Sequence, residues 1–494
     1  MFEVVVSDPA ELRGLDDAAL IDAMTAANRA ANAVEARKLA IIAEFTHRRC
    51  DEEEHPEWGC DDWDAAAAEI SCALTVGHGR AMRQMRIGLA MADRLPKVGA
   101  AFLAGAFDVT AAATLAERTS LVTDADALRS IDARLAAAAL GFPALSKMKL
   151  ERAIDAAVAE LDPDAVHRAQ GSYEGREINI GDPRNDENGL ATVWGRLTAT
   201  DAVLFDAALN NLARTVCDDD PRTLRQRRAD AVGALSARAD RLTCRCDDPK
   251  CPAKTGKIPA ATIHVHVVAQ TVASRKAAIM LDRPGTVLPP TVLDEVIANG
   301  ARVQDLPKPK DEPEPRYRPS AGLADFIRSR DMTCRHPGCD RPAYQCDLDH
   351  VDARSDGGAT HPANLGPRCR RHHLVKTFWH GWTNHQEPDG TLTITTPTGH
   401  SYTTKPLSAL LFPDWDTSTG PAPPPRRRRK SPSPDAGVMM PVRKTTRRKA
   451  RARRIKQERE SNALARALEH ARVGAAVAEA DRTPPPGYDE PPPF

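Results

Sequence analysis

Aromatic side chains, long apolar runs and a secretory leader are scarce or absent in this sequence of 494 residues. Aromatic residues make up only 4% of the chain, although hydrophobic residues as a whole reach 41%. No apolar run approaches the roughly eighteen residues that a membrane-spanning helix needs, which excludes an integral membrane protein of that kind. The first eight residues lack a basic start, so we expect no signal peptide and a cytoplasmic location.

A disulfide framework is not expected either, although the chain contains eleven cysteines. Disulfides persist in oxidising compartments, and this long chain shows no secretory signal. Cysteines that cluster in a reducing compartment are more often metal ligands. The cysteine pattern therefore indicates metal binding.

The formal net charge of zero conceals a strong asymmetry along the chain. Residues 421–460 carry fifteen Lys or Arg against three Asp or Glu, a net charge of +12 (15 − 3). Such a basic segment is attracted to polyanions, whether or not it is ordered. The composition therefore favours a nucleic acid as the partner.

The first third of the chain predicts helices. Between residues 10 and 165, Ala- and Leu-rich stretches repeat apolar residues at a spacing of three to four. Arg80, Arg83 and Arg86 fall near one face of such a helix, most simply a solvated face. Downstream, a short β-hairpin is expected at 175–180 and 190–197, and a further strand at 261–269.

Residues 334–373 predict a structural zinc site. The expected ligands are Cys334, Cys339, Cys369 and His372. The first two cysteines flank a Pro-Gly turn that lets their thiolates converge, and the other pair lies three positions apart on one face of a predicted helix. Two thiolates from a knuckle with Cys and His from a helix make a closed tetrahedral zinc site. Cys346 is a spare thiol that could replace one ligand, although its strand-like setting favours core packing.

A second cysteine knuckle lies upstream, in the sequence CRCDDPKC. Cys244, Cys246 and Cys251 supply three thiolates there, whereas a tetrahedral zinc site needs four ligands. The candidates for the fourth ligand are Cys217, His264 and His266. The sequence leaves a second structural zinc open.

Other polar residues of the same C-terminal segment fit a different role. Asp349 and His350 end a predicted strand, and Asn364 follows a loop that contains an Asp-Gly-Gly turn signal. His373 directly follows His372, and neighbours on a helix lie about 100° apart, so the two cannot readily face one metal. If His372 binds zinc, His373 points elsewhere, where Asp349 can meet it.

This order of a cysteine knuckle, Asp-His, Asn and His over a strand, a loop and a helix resembles the HNH nucleases of the ββα-metal fold. The family pattern often ends C-x-x-C-H, whereas this chain has His372 in place of the second Cys. The change is conservative for zinc, and it leaves the catalytic positions where they are. Lys376 and Thr377 follow, as is common in that family.

The resemblance implies a role for each of these residues in the hydrolysis of DNA phosphodiester bonds. His350 would be the general base that activates water, and Asp349 and His373 would hold one catalytic Mg²⁺ or Mn²⁺. Asn364 would hold the loop so that the imidazole of His350 is oriented. Lys376 would contact a DNA phosphate.

The upstream motifs DPDA, CDDDPRT and QRRADA extend the resemblance over roughly residues 10–400. They look like an actinobacterial family that pairs a helical domain of unknown function with a C-terminal HNH domain, often linked to repeated or mobile elements. Two alternatives to a DNA endonuclease remain: a non-catalytic, zinc-stabilised DNA-binding or regulatory protein, and an RNA-directed enzyme. Self-association through the helical domain is also left open.

The expected fold is a mainly α N-terminal helical domain with a small β element, a small ββα-metal HNH module and a disordered basic tail. The expected boundaries are 10–242 for the helical domain, 243–305 for a cysteine knuckle and strand-containing connector, 306–320 for a Pro-rich linker, 321–411 for the HNH module and 412–494 for a largely disordered tail.

Overall fold

The computed structural model describes residues 9–167, 176–181, 190–254, 267–268, 278–281, 287–288, 290, 293–294, 297, 302–306, 308–425 and 439–480. The chain forms two compact units. One combines Met1–Ala169 with Pro307–Phe494, and the other is Gln170–Leu306. This division differs from the predicted boundaries, because the first and last thirds of the chain belong to one body. No helix in the described ranges is long and apolar enough to cross a membrane.

The N-terminal part of the first unit is a helical bundle, as the Ala- and Leu-rich sequence predicts. Its helices are α1 (Asp17–Cys50), α2 (Asp62–Leu74), α3 (His78–Leu89), α4 (Pro96–Leu103), α5 (Val109–Arg118), α6 (Ala125–Ala138) and α7 (Lys147–Leu161). Aspartates begin several of them, for example Asp16 and Asp61, whose carboxylates accept backbone N–H groups of the first turn. Leu39, Phe102 and Ile154 are among the buried residues of the core.

The second unit contains a hairpin, a helix pair and a small sheet. Its elements are β1 (Glu177–Ile180), β2 (Val193–Arg196), α8 (Ala199–Ala213), α9 (Leu224–Ser236), β3 (Val267–Val268), β4 (Ala278–Met280) and β5 (Val287–Leu288). Strands β1 and β2 pair antiparallel, which confirms the expected hairpin. The three short strands form an antiparallel sheet in the order β3-β4-β5. Most of the strand expected at 261–269, including His264 and His266, lies outside the described residues.

The C-terminal module, residues 321–411, belongs to the first unit. Its elements are α10 (Ala321–Asp331), β6 (Asp347–His350), β7 (Leu365–Arg368), α11 (Arg370–Phe378), β8 (Thr383–Gln386), β9 (Leu392–Thr395), β10 (Ser401–Thr404) and α12 (Ser408–Leu411). Strands β6 and β7 pair antiparallel, with Asp349 opposite Gly366, and α11 follows directly. Strands β8, β9 and β10 form an antiparallel sheet, and Asp389 and Gly390 lie in the turn between the first two strands.

Helix α11 packs against α2, which joins the C-terminal module to the bundle. Leu374 and Val375 are buried in one cluster with Cys60 and Ala68. The indole of Trp379 donates to the carbonyl of Cys60 at 3.1 Å. Trp379 therefore contributes to packing between the module and the bundle.

Part of the C-terminal segment 412–494, which was expected to be largely disordered, is ordered. Residues 447–480 form a helix, α13 (Arg447–Ala480), which is anchored on the bundle. Arg459 donates to the carboxylate of Asp162 at 2.7 Å, and Asn462 donates to the carbonyl of Asp164 at 2.9 Å. A basic composition predicts disorder because like charges repel, and here the bundle supplies acidic partners for some of these charges, such as Arg459.

The Pro-rich segment 306–320, which was expected to be a linker, forms hydrogen bonds with the C-terminal module. Glu314 forms an antiparallel bridge with Thr360, and the hydroxyl of Thr360 donates to the carbonyl of Arg316 at 2.7 Å. Arg354 donates to the carbonyl of Pro315 at 2.9 Å. The expected linker is thus part of the C-terminal module's structure, because its backbone groups pair with the loop that precedes β7.

Candidate active site and metal centres

The four residues predicted as zinc ligands converge at the start of α11. One ligand atom from each of Cys334, Cys339, Cys369 and His372 lies within 4.8 Å of the others. Nδ1 of His372 is 3.5 Å from the sulfur of Cys334 and 3.3 Å from that of Cys369. Cys369 is the N-cap of α11, so its side chain and that of His372 reach the knuckle from the first turn. The set could hold a metal ion such as zinc.

The electrostatics of this cluster suit a cation. Burial raises the pKa of the Cys334 thiol, but hydrogen bonds from the neighbouring thiols and His372 outweigh it, so the pKa lies well below its usual value. A buried thiolate needs a compensating positive charge. Cys346 is near, but its thiol donates to the carbonyl of Pro342 at 3.2 Å and is not one of the four.

The zinc knuckle is fastened to the bundle as well as to α11. The ring of His336 stacks on that of His372, with centroids 3.7 Å apart. Nε2 of His336 lies 3.2 Å from the carbonyl of Ala68 on α2. The hydroxyl of Ser71 donates to the carbonyl of Pro337 at 3.3 Å. A metal bound here would therefore stabilise the junction of the module with the bundle.

The second unit gathers the other cysteine cluster. Cys244, Cys246 and Cys251 meet Cys217, which follows α8, and the four sulfurs lie within 4.8 Å of one another. The sulfurs of Cys217 and Cys244 are 3.4 Å apart. Of the candidate fourth ligands, the structure brings Cys217 to the site, while His264 and His266 lie outside the described residues. Four thiolates at this spacing could hold a second zinc.

Asp349 and His373 meet on the side of α11 that faces the β6–β7 hairpin. Oδ1 of Asp349 lies 3.4 Å from Nε2 of His373. His372 and His373 do diverge, one toward the cysteines and the other toward Asp349, as helix geometry requires. A carboxylate oxygen and an imidazole nitrogen at this separation could share one divalent cation.

Asp347 is a site residue that the sequence reasoning missed. Its Oδ2 lies 2.9 Å from Nδ1 of His373. This carboxylate fixes the orientation of the ring, whose Nε2 faces Asp349. Residues two apart on a strand share a face, so the position of Asp347 relative to Asp349 was the available signal.

His350 is buried beside them, at 3% exposure. Its Nε2 lies 3.0 Å from the hydroxyl oxygen of Thr360, and Thr360 donates its own proton to the carbonyl of Arg316. The hydrogen bonds therefore assign the ring hydrogen to Nε2 and leave Nδ1 unprotonated. Tyr317 stacks on the ring, with centroids 5.3 Å apart. Burial, opposed by Asp349, lowers the pKa of His350 to about 4, so the imidazole is neutral at neutral pH.

Asn364 closes the loop between the two strands. Its side-chain oxygen accepts from the backbone N–H of Asp352 at 2.8 Å, and its amide donates to the carbonyls of Asp352 and Ala359. The backbone N–H of Val351 donates to the carbonyl of Asn364. These bonds hold both ends of the loop that carries Thr360 to His350.

Two cations neutralise Asp349 in this structure. Lys376 donates to Oδ2 of Asp349 at 2.8 Å and to the carbonyl of His350, and Nε of Arg368 lies 3.4 Å from the same Oδ2. Lys376, which the resemblance assigns to a DNA phosphate, is thus turned toward the interior of the site. Oδ1 of Asp349 faces His373 instead.

Comparison with known proteins places the chain among proteins without an assigned activity. The family described as "Domain of unknown function (DUF222)" matches residues 26–331, a range that ends before Cys334. Uncharacterized protein Rv3776 of Mycobacterium tuberculosis is 44% identical over 99% of this chain and 96% of its own. Uncharacterized protein Rv2100 of that species is 44% identical over 94% of this chain and 91% of its own. No solved structure matches.

Proposed function

The chain belongs to the DUF222 family, and we propose that it is a metal-dependent endonuclease of the HNH type that hydrolyses DNA phosphodiester bonds. One observation carries the proposal: Asp349 and His373 bring a carboxylate oxygen and an imidazole nitrogen to 3.4 Å beside a neutral, buried His350. These residues lie on two antiparallel strands and the helix that follows them. A ββα arrangement of this kind is what the resemblance to the HNH nucleases implies.

The residues fit a divalent cation. Asp347 fixes the orientation of His373, whose Nε2 faces Asp349, and a shared cation would satisfy both groups. A bound Mg²⁺ or Mn²⁺ would supply charge stabilisation to the scissile phosphate and the leaving oxygen. Two protein ligands leave the remaining positions for water and phosphate.

His350 would take the proton from the attacking water through Nδ1. Thr360 holds Nε2–H, which fixes the tautomer, and Asn364 holds the loop that positions Thr360. A general base must be unprotonated and fixed in direction, and these hydrogen bonds provide both conditions. Tyr317 covers one face of the ring and restricts its rotation.

The test is nicking of supercoiled plasmid by the purified full-length chain, with Mg²⁺, with Mn²⁺ and without added divalent cation. We expect metal-dependent nicking that His350→Ala abolishes, while His385→Ala, which removes an exposed histidine of the same module, retains it. Zinc content and circular dichroism on both variants would show that loss of activity is not loss of the fold. Nicking by His350→Ala at the wild-type rate would refute the mechanism.

A second candidate is a DNA-binding protein with a non-catalytic module. The ion pair of Lys376 with Asp349 favours it, because a lysine can neutralise the carboxylate without a divalent cation. In that case the wild type would bind DNA but fail to nick plasmid in either metal. Lys376→Met would then not alter the plasmid, whereas in a nuclease it would change the Mg²⁺ concentration needed for half-maximal nicking.

A further inference from the structure

The first half of α13 presents exposed cations, most of which have no acidic partner among the described residues. Residues 436–457 contain nine Lys or Arg and no Asp or Glu. The exposed ones on the helix are Arg448, Lys449, Arg451, Arg453, Arg454 and Lys456. Arg454 lies 3.5 Å from Glu458, and Lys456 lies 3.8 Å from Glu460. Within residues 9–167, 308–425 and the rest of the described chain, the other four have no acidic partner.

This placement is unfavourable in the isolated protein. The amino end of a helix carries a partial positive charge, so cations in its first turns raise the free energy of the helix. Like charges three or four positions apart on a helix repel one another as well. An external anion would remove both penalties.

The cations are held in a fixed position by anchors on either side. Arg447 donates to both carboxylate oxygens of Asp61 at 2.8 and 2.9 Å. Farther along, Arg459 and Arg466 contact Asp162 and Asp164 at 2.7 and 2.6 Å. Between the anchors, Ile455 packs against the core of the bundle. The anchored helix therefore holds these exposed residues at fixed positions on the surface of the protein.

Helix α3 adds a second row of cations. Arg80, Arg83 and Arg86 are exposed and recur every third residue, so they share one face. None of the three has an ion pair or hydrogen bond within the described chain. Burial, followed by the charges of Arg447, Arg451 and Arg454, lowers the pKa of Arg86, which shows that the two rows are close enough to interact.

The starts of α3 and α13 meet at a buried carboxylate of α2 that also pairs with α11. Oδ1 of Asp64 is 3.1 Å from Nε2 of His78, the first residue of α3, and 3.2 Å from Nε of Arg371 on α11. Oδ2 of Asp64 accepts from Arg447 of α13 at 3.0 Å. One buried carboxylate thus ties together α3, α13 and α11, the helix that carries His373.

We propose that the exposed arginines of α3 and α13 form one surface that binds the phosphodiester backbone of duplex DNA and leads it to the site on α11. The inference rests on the proposed function for the choice of DNA. Guanidinium groups pair with phosphate through parallel hydrogen bonds, which suits a row of arginines. Neither α3 nor residues 436–457 contain an aromatic side chain on which unpaired bases could stack, so the surface fits a duplex better than a single strand.

The test compares two full-length triple variants that remove the same charge. The surface variant is Arg83→Gln, Arg451→Gln and Arg453→Gln. The control variant is Arg48→Gln, Arg129→Gln and Arg134→Gln, whose arginines are exposed but paired with Glu44, Asp126 and Glu160. Anisotropy of a short fluorescent DNA duplex, titrated at several salt concentrations without Mg²⁺ or Mn²⁺, gives affinity and salt slope together.

Each phosphate contact contributes about 0.9 to the slope of log affinity against log salt, so the surface variant should lose up to about 2.7 in slope. Its affinity at low salt should fall about tenfold or more, while the control stays within roughly twofold of the wild type. Equal losses in both variants, a wild type that binds no duplex, or a clear preference for single-stranded RNA would each overturn the proposal. Because binding is measured without cleavage, a chain that binds through this surface yet never nicks plasmid would refute only the nuclease assignment.

Discussion

The two adjacent histidines of α11 should fail in different ways when each is replaced by alanine. His372 lies in the cluster with Cys334, Cys339 and Cys369, whereas His373 lies between Asp347 and Asp349. His372→Ala removes one of four ligands from a closed site. His373→Ala removes a ring that lies outside this cluster and leaves all four candidate zinc ligands in place.

The magnitudes follow from what each ring contacts. A structural zinc contributes on the order of 10 kcal/mol to the fold that it closes, and this cluster also fastens the knuckle to α2 through His336. We therefore expect His372→Ala to destabilise the first unit severely. His373→Ala loses one charge-assisted hydrogen bond to the partly exposed Asp347, which costs about 1–3 kcal/mol at most.

Elemental analysis, thermal melts and plasmid nicking on both variants make the comparison. The wild type should hold two zinc ions per chain, His372→Ala one and His373→Ala two, because the cysteine cluster of the second unit is untouched. His373→Ala should melt close to the wild type and lose nicking. If His373→Ala lost a zinc ion while His372→Ala kept both, the two assignments would be reversed.

Three further predictions follow. Asp347→Asn should leave the zinc content unchanged and lower the nicking rate about 10- to 100-fold, measured against metal concentration, because it weakens the orientation of His373; an unchanged rate would show that Asp347 only packs. The pKa of His350 lies at about 4 in the folded chain, below the value near 6.5 expected when unfolded. Its contribution to stability is therefore complete above about pH 6.5 and is lost as pH falls toward 4. In His350→Gln the urea-denaturation midpoint should depend less on pH over that range. Cys217→Ser should remove one zinc ion per chain and lower the melting temperature of the second unit, with nicking retained. If this variant still held two zinc ions, Cys217 would not be the fourth ligand.

The sequence predicted local relationships well. The knuckle with Cys334 and Cys339, the pair Cys369 and His372, and the divergence of His373 all depend on spacing within a turn or a helix. The second cluster was different, because three thiolates were visible but Cys217 lies 27 residues before Cys244. Only the path of the chain between them selects Cys217 as the fourth member.

Long-range packing escaped prediction for a related reason. The basic composition of the C-terminal segment indicates disorder, and nothing near it in sequence neutralises Arg447 or Arg459. Although Glu458 and Glu460 flank Arg459, the carboxylates that these arginines contact, Asp61 and Asp162, precede them by 386 and 297 residues. An aspartate at the start or end of a helix is already accounted for as a cap of that helix. The sequence therefore does not reveal that Asp61 and Asp162 also bind α13.

The first unit combines the first and last parts of the chain, so the candidate active site can assemble only when synthesis is almost complete. The indole of Trp379 bonds a carbonyl 319 residues earlier, and Arg447 pairs with an aspartate 386 residues earlier. At translation rates of about 5–20 residues per second, α2 would emerge roughly 15–65 s before the helix that packs on it. During that interval the face of α2 that meets α11 is uncovered, and Asp61 and Asp64 lack the arginines that α11 and α13 supply. Under the proposed function the chain would be inert while nascent, and a prematurely terminated chain would carry the bundle without the candidate site.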